Sequence, residues 1–249
     1  MPSELAVLTT VAFATSVFTA TVGLGGGVIL LVVMLLYLEP LVAIPVHGLI
    51  QLVSNGSRTY IQRTHVRWEV LTRYALLLLP AGYLAIVFAR SLSPERLKVA
   101  IGLFVLLATW LPSLPWARGA FSLRPRGFLV LGGVVGALNV TVGATGPIVG
   151  PFFRGLGLSP QGTVGTFAAC QAAGHLAKLV VFGTFGFAFV AYLPPVLAMS
   201  AAVVVGTWLG SRLLEHVHPR LFHWLYRGVL TLVALRLVIW DGLEALGWR

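Results

Sequence analysis

The chain has 249 residues, of which 58 % are hydrophobic and only 10 % are charged, and its mean hydropathy is +0.94. An ordinary soluble domain is about 25 % charged, so this composition excludes a water-soluble protein and predicts an integral membrane protein. The net charge of +10 comes from cations that mostly lie between apolar segments, where such residues set topology and meet lipid headgroups. Nucleic acid is excluded as a partner because the sequence offers no soluble basic domain.

Apolar stretches of membrane-spanning length, about 20 residues each, follow one another along the whole chain. They predict an all-helical (all-α) fold with about eight transmembrane segments. Their approximate ranges are 5–38, 40–63, 68–90, 95–114, 127–157, 160–183, 186–213 and 220–246. The longest polar interruption, 115–126, separates the first four segments from the last four and is the natural midpoint linker.

The first segment is too long for one perpendicular helix. Its residues 5–38 would reach about 50 Å at ~1.5 Å per residue, against a hydrocarbon core of about 30 Å. Four glycines, Gly23, Gly25, Gly26 and Gly27, interrupt it, and each costs a helix interior about 1 kcal/mol relative to alanine. We therefore expect the helix to tilt strongly, bend or break at these glycines.

The second half of the chain repeats features of the first at an offset of 120 residues. Thr21, Val22, Gly23 and Gly26 align with Thr141, Val142, Gly143 and Gly146, and Pro40, Gln51 and Arg58 align with Pro160, Gln171 and Lys178. Matches at glycines and polar residues predict a duplicated four-segment unit, with repeats at 1–114 and 127–249 joined by the basic linker 115–126. Repeats with matching interrupted helices are typical of transporters.

Broken helices inside a membrane expose backbone groups that only buried protein or a water-filled cavity can accommodate. The N-terminus of each continuing half-helix carries partial positive charge and favours an anion. We therefore interpret the glycine breaks at 23–27 and 143–146, with Thr145, as places where backbone N–H groups bind an anionic substrate. The alternative is that the glycines only allow helices to pack closely.

Two polar stripes accompany the breaks. His47, Gln51, Asn55 and Arg58 share one face of the second segment, and Gln171, His175 and Lys178 share a face of the sixth. Polar residues at membrane depth mostly face a cavity or each other, so the stripes predict opposite walls of one hydrophilic path. Alternatively, Arg58 extends to the headgroups, the glutamines join helices, and the histidines, above all His47, are packing residues.

Nearly all of the seven carboxylates lie at segment ends, so we expect no buried carboxylate that could bind a cation. No catalytic, phosphate-binding or metal-binding motif is present, and the single Cys170 excludes an intrachain disulfide. We therefore expect neither an enzyme nor a cofactor or metal site. If transport is coupled to protons, histidine is the available carrier.

Several motifs resemble the TauE/SafE-type sulfite exporter family. They are the break "GLGGG" (23–27), its counterpart "GATGP" (143–147), the Pro-started helices that follow with "Q…R" and "Q…K", and "VRWEVLTRYALLLLPAG" (66–82). The resemblance covers nearly the whole chain. It implies transport of small sulfur-containing anions, such as sulfite, thiosulfate or organosulfonates, across the cytoplasmic membrane, with the glycine breaks, Gln51 and Gln171 as matching positions.

These observations together predict a multi-pass secondary transporter of a small anion in the cytoplasmic membrane. The expected partners are the anion, a coupling proton or other ion, and membrane lipid, and homo-oligomer formation stays open. The alternatives are a membrane-embedded accessory or scaffold protein and an intramembrane enzyme. The orientation also stays open, because an even number of spans per repeat gives parallel repeats whereas a re-entrant half-helix at each break inverts them.

Overall fold

The computed structural model describes residues 2–22, 26–114, 121, 123–213 and 219–248. The described residues form α-helices and short helical turns, without strands, which confirms the all-helical prediction. The helices are α1 Pro2–Val22, α2 Gly26–Met34, α3 Pro40–Ile61, α4 Trp68–Leu76, α5 Leu78–Ser91, α6 Pro94–Trp110, α7 Gly127–Thr141, α8 Gly146–Arg154, α9 Pro160–Thr184, α10 Leu193–Leu213 and α11 Pro219–Ala245.

Four helical stretches in the described chain are both long enough and apolar enough to cross a membrane. They are Trp68–Ser91, which joins α4 and α5, Pro94–Ser113, Pro160–Thr184 and Phe189–Gly210. Three further helices, α1 with 21 residues, α3 with 22 and α11 with 27, also have the necessary length. These helices are typical of a multi-pass membrane protein.

The first long segment, 5–38, forms two helices rather than one. Helix α1 ends at Val22, and α2 begins at Gly26 and folds back along α1. A Cβ atom on Gly26 would lie 2.1 Å from the carbonyl oxygen of Thr15, a contact that a straight continuation of the helix would not allow, since eleven residues of helix rise about 16 Å. The glycine cluster therefore marks a break with reversal of direction.

The fifth segment, 127–157, reverses in the same way. Helix α7 ends at Thr141, Gly143 adopts a φ of +88°, and α8 begins at Gly146. The N–H of Gly143 donates to the carbonyl of Leu138 at 3.1 Å, an ending that glycine favours because it lacks a Cβ. Phe128 at the start of α7 and Phe153 near the end of α8 have ring centroids 5.0 Å apart, so the two helices form a hairpin.

Helices α3 and α9 cross the centre of the molecule in opposite directions. The start of α3 meets the end of α9, since a Cβ on Gly48 would lie 2.7 Å from Lys178 Cε. The end of α3 meets the start of α9, since a Cβ on Gly165 would lie 2.8 Å from Gln62 Cβ. This antiparallel pair is the axis around which the other helices pack.

The antiparallel pair defines two faces of the molecule. Face A consists of residues 62–67, 123–126 and 155–159, which approach one another around a small cavity lined by Arg67, Leu123 and Leu156. Face B consists of residues 35–39, 92–93 and 185–192, near the contact of Thr184 Oγ1 with Tyr83 Oη at 3.2 Å. Helix α6 starts on face B, and its Lys98 bonds Asp241 near the end of α11, so α11 ends on face B. Since α11 crosses the bundle, it begins on face A, where α10 ends.

Helix contacts on the two sides of this axis correspond. Helix α1 packs on α10, and its counterpart α7 packs on α5. In the same way, α10 packs on α3, and its counterpart α5 packs on α9. Helix α6 packs on α11 across the bundle. The corresponding helices lie about 120 residues apart, and α2 and α8, like α3 and α9, begin 120 residues apart.

One carboxylate corrects the expectation that none is buried. Asp241, in the last turns of α11, is only 2 % exposed. It accepts hydrogen bonds from Lys98 at 3.1 Å and from Arg236 at 3.0 Å. Because both partners are cations held by the same bundle, Asp241 joins α6 to α11 and lies away from the glycine breaks.

We expect Gly136→Ala to destabilise the protein, because the new Cβ would lie 2.4 Å from the carbonyl oxygen of Leu78 where α7 crosses α5. Overpacking of this kind costs about 1–3 kcal/mol and should lower the unfolding temperature in detergent. The matched control is Gly228→Ala, whose Cβ meets nothing within 4 Å. An unfolding temperature for Gly136→Ala equal to that of the control would contradict this packing.

Candidate functional site

The two helix reversals meet at one central cavity. Gly27 and Val28, in the first turn of α2, line one side, and Thr145, Gly146 and Pro147, at the start of α8, line the other. The cavity measures about 40 Å³, which is room for a few water molecules. The N-termini of two helices, each of nine residues, therefore point partial positive charge into the same small space.

A glutamine stands beside each reversal. A Cβ on Gly27 would lie 2.9 Å from the side-chain amide carbon of Gln51, and one on Gly146 would lie 3.5 Å from Nε2 of Gln171. Both glutamines are buried and line the cavity. Among the described residues, Gln171 Oε1 has no hydrogen-bond partner, so this amide is available to a molecule in the cavity.

The α3 stripe forms a connected chain of side chains. Asn55 Nδ2 donates to the carbonyl of Gln51 at 2.9 Å, and Arg58 Nη2 donates to Asn55 Oδ1 at 3.2 Å and to Ser54 Oγ at 3.3 Å. These bonds hold the guanidinium of Arg58 at the cavity wall, where it is half-buried. Arg58 therefore does not extend freely to the headgroups.

Lys178 lies just behind the second reversal rather than in the cavity wall. Its Nζ donates to the carbonyl of Gly143 at 3.0 Å, and the residue is 1 % exposed. Gly143 lies two residues beyond the end of α7, and a cation there opposes the negative end of the helix dipole. Lys178 thus holds the backbone that shapes the cavity.

Two histidines face each other across the cavity. The rings of His47 and His175 have centroids 5.8 Å apart in an edge-to-face arrangement. His47 Nε2 lies 2.8 Å from the carbonyl of Gly27, while Nδ1 of each ring has no partner in the part of the chain that the structure describes. Buried polar atoms without partners are rare, so their concentration here indicates that this space accommodates a polar occupant.

The charge around the cavity is not balanced by the described residues. The ion pairs they form join Arg67 and Arg73 to Glu69, and Lys98 and Arg236 to Asp241. Arg58 and Lys178 have no carboxylate partner in the described part of the chain, and no carboxylate lines the cavity. A buried cation without a counter-ion is costly, so an anion in this cavity would be stabilised.

The structure brings most of the predicted site residues to the cavity. Those that line it are Gly27, Gln51, Asn55, Arg58, Thr145, Gly146, Gln171 and His175. Gly26 packs against α1 and Gly143 forms the turn beside Lys178, whereas Gly23 and Gly25 lie outside the described residues. The role of all these residues in binding stays a prediction.

Sequence reasoning missed two lining residues of note, namely Thr19 and Phe167. His47, which the sequence places on the polar face four residues before Gln51 but for which it favours a packing role, also lines the cavity. Thr19 is a polar residue four positions before the glycine cluster, and its counterpart 120 residues later is the buried Asn139. Phe167 carries no signal, because nothing distinguishes it from other apolar residues of α9.

The fold and this site define a multi-pass membrane protein with a polar cavity between two broken helices. The sequence profile described as sulfite exporter TauE/SafE matches residues 8–237, and the chain belongs to this family. Family membership implies a membrane exporter of sulfur anions, a transporter rather than an enzyme. No curated protein and no solved structure matches the chain.

We expect Gly27→Ala to weaken anion binding while the protein still folds. The new methyl group would meet the flexible amide of Gln51 at 2.9–3.0 Å and push it into the cavity, which should raise the Kd for sulfite by about 10-fold or more, or about 1.4 kcal/mol. Calorimetric titration of the purified protein measures this.

The matched control for that change is Gly56→Ala on α3, the helix that carries Gln51, where a Cβ meets nothing within 4 Å. Its sulfite affinity should equal that of the unaltered protein. Equal losses in both variants, or unchanged affinity in Gly27→Ala, would mean that the anion does not occupy this cavity.

Proposed function

We propose that the protein is a secondary transporter of a small sulfur oxyanion in the cytoplasmic membrane, and that the anion binds in the central cavity. One observation carries this proposal: the N-termini of α2 and α8 and the guanidinium of Arg58 converge on a cavity whose described lining has no carboxylate. Family membership indicates the class of substrate, and the cavity is the site where we expect this substrate to bind.

Each part of the lining has a role in this proposal. Backbone N–H groups at the first turns of α2 and α8 donate to the anion's oxygens, as helix N-termini do for phosphate and sulfate. Arg58 compensates its charge, and the amides of Gln51 and Gln171 orient it. Lys178 contributes at longer range and by keeping Gly143 in place through the bond to its carbonyl.

The size of the cavity favours the smaller members of the substrate class. A space of about 40 Å³ suits an inorganic anion such as sulfite or thiosulfate. An organosulfonate such as sulfoacetate adds a second anionic group and would require the two reversals to move apart. We therefore rank inorganic sulfur anions ahead of organosulfonates.

We further propose that the chain consists of two inverted repeats, each with a re-entrant hairpin and three membrane crossings. The hairpins are α1–α2 and α7–α8, and the crossings are α3, α4–α5 and α6, followed by α9, α10 and α11. The antiparallel contact of α3 with α9 and the matching helix contacts support this layout. An odd number of crossings inverts the second repeat, which is a frequent design among secondary transporters.

Inverted repeats suggest alternating access, in which one repeat moves against the other around the bound anion. No ATP-binding motif is present in the sequence, so an ion gradient supplies the energy in this proposal. His47 and His175, which face each other at 5.8 Å in the cavity wall, are the groups that would carry a coupling proton.

We expect sulfite or thiosulfate to raise the unfolding temperature of the purified protein, and sulfate and chloride to do so much less. A ligand at 100 times its Kd stabilises a protein by about 2.7 kcal/mol. Arg58→Gln should abolish this shift, because it removes the cation at the cavity wall. A thermal-shift series over sulfite, thiosulfate, sulfoacetate, sulfate and chloride measures both effects.

The matched control is Arg63→Gln, since Arg63 lies one turn beyond α3 and stacks on the ring of Tyr60, away from the cavity. It should keep the full shift. Lys178→Met should lose the shift and also unfold at a lower temperature, because the carbonyl of Gly143 loses its donor. An absence of any anion effect in the unaltered protein would favour an accessory or scaffold role, with the polar stripes as interhelical contacts.

A further inference from the structure

A second space adjoins the central cavity, and Arg58 borders both. This crevice of about 420 Å³ lies between the last turns of α3, the start of α9 and the second half of α10. Most of its wall is apolar, and its polar side chains are Ser54, Ser57, Arg58, Gln62 and Thr207, with Ile61, Val164, Val203, Val204 and Trp208 forming the rest. Since Arg58 is the residue common to both linings, its side chain separates the crevice from the cavity.

The crevice leads towards face A, because Gln62 and Val164 lie where α3 ends and α9 begins. Towards face B the cavity is closed by packed side chains. Leu31 and Ile44, both fully buried, contact the Gly143 turn together with Lys178. One helical turn further along α9, Phe182 packs against Phe187 with ring centroids 6.2 Å apart. In the part of the chain that the structure describes, the cavity therefore connects to one face only, past Arg58 and along the polar side chains of the crevice.

The charges of the two faces differ. Near face A, the described residues include one carboxylate, Glu69, and many arginines: Arg63, Arg67, Arg73, Arg124, Arg126 and Arg154. Near face B, carboxylates slightly outnumber cations in the described residues: Glu4, Glu39, Glu95, Asp241 and Glu244 accompany Arg90, Arg96, Lys98 and Arg236. Arginine and lysine are enriched on the cytoplasmic side of membrane proteins, so this asymmetry places face A in the cytoplasm.

We infer that the crevice beside Arg58 is the cytoplasmic access route of the transporter, and that Arg58 is the gate residue between this route and the anion site. The conformation described is then open to the cytoplasm and closed towards the outside. An anion from the cytoplasm would meet the guanidinium at the inner end of the crevice. It would pass into the cavity when that side chain leaves Asn55 and Ser54.

This inference rests on the proposed function, and cysteine labelling separates the two. Cys170 is buried and is the only cysteine, so Cys170→Ala provides a background for single-cysteine variants. Ser57→Cys lines the crevice, and Val190→Cys, at a residue that is 77 % exposed on face B, is the matched control. Both are treated with a membrane-impermeant maleimide in inside-out and in right-side-out membrane vesicles, before any sulfite is added.

We expect Ser57→Cys to react at least about 10-fold faster in inside-out vesicles, and Val190→Cys to react faster in right-side-out vesicles. Subsequent sulfite transport should be blocked in labelled Ser57→Cys and retained in labelled Val190→Cys. Faster labelling of Ser57→Cys from the outside, labelling from neither side, or full transport after labelling would overturn the access route. Absence of sulfite transport in the unlabelled background protein would instead overturn the proposed function, while the side of labelling would still report the orientation.

The gate role of Arg58 has its own test at Thr145, which lines the cavity but not the crevice and whose hydroxyl bonds Asn139 rather than Arg58. Thr145→Cys should react slowly from the cytoplasmic side and at least about 10-fold faster when Arg58→Ala is added. Arg63→Ala is the control and should leave the rate unchanged. Equal labelling rates with and without Arg58 would show that the guanidinium does not separate the two spaces.

Discussion

A helix that ends inside a membrane leaves backbone groups without partners, and the bilayer offers no water to take their place. In the proposed layout two helices end in this way, at Val22 and Thr141, and two begin, at Gly26 and Gly146. The central cavity and the polar side chains that line it lie next to these ends. Side-chain donors bond the carbonyls near the helix ends, as Lys178 bonds the carbonyl of Gly143. The N–H groups at the helix starts face a cavity that a small anion would fill.

This constraint explains why cations and amides, rather than carboxylates, occupy the core. Carbonyl ends attract a cation, as Lys178 illustrates at 3.0 Å from Gly143 O, and N–H ends attract an anion. A carboxylate in the described lining would compete with the anion for Arg58 and for the helix N-termini. Asp241, the buried carboxylate, is instead paired with Lys98 and Arg236 between α6 and α11.

The sequence predicted the helix breaks and the polar stripes because glycine and charge in apolar segments have specific costs. Eight of the thirteen predicted site residues line the cavity. The direction of the chain after each break could not be predicted, since the same glycines permit a bend, a break or a reversal. The reversal depends on contacts such as Gly26 with Thr15, which join residues that no local pattern connects. Phe167 was missed for the same reason.

The most direct measurement of the central claim is to locate a bound anion. Selenite has the shape and charge of sulfite and contains an anomalous scatterer, so crystals grown with selenite would reveal the site without any assumption about it. We predict an anomalous peak between the first turns of α2 and α8, within hydrogen-bond distance of Gln171 and close to Arg58. A peak at another place, or none in this cavity at concentrations that stabilise the protein, would contradict the account.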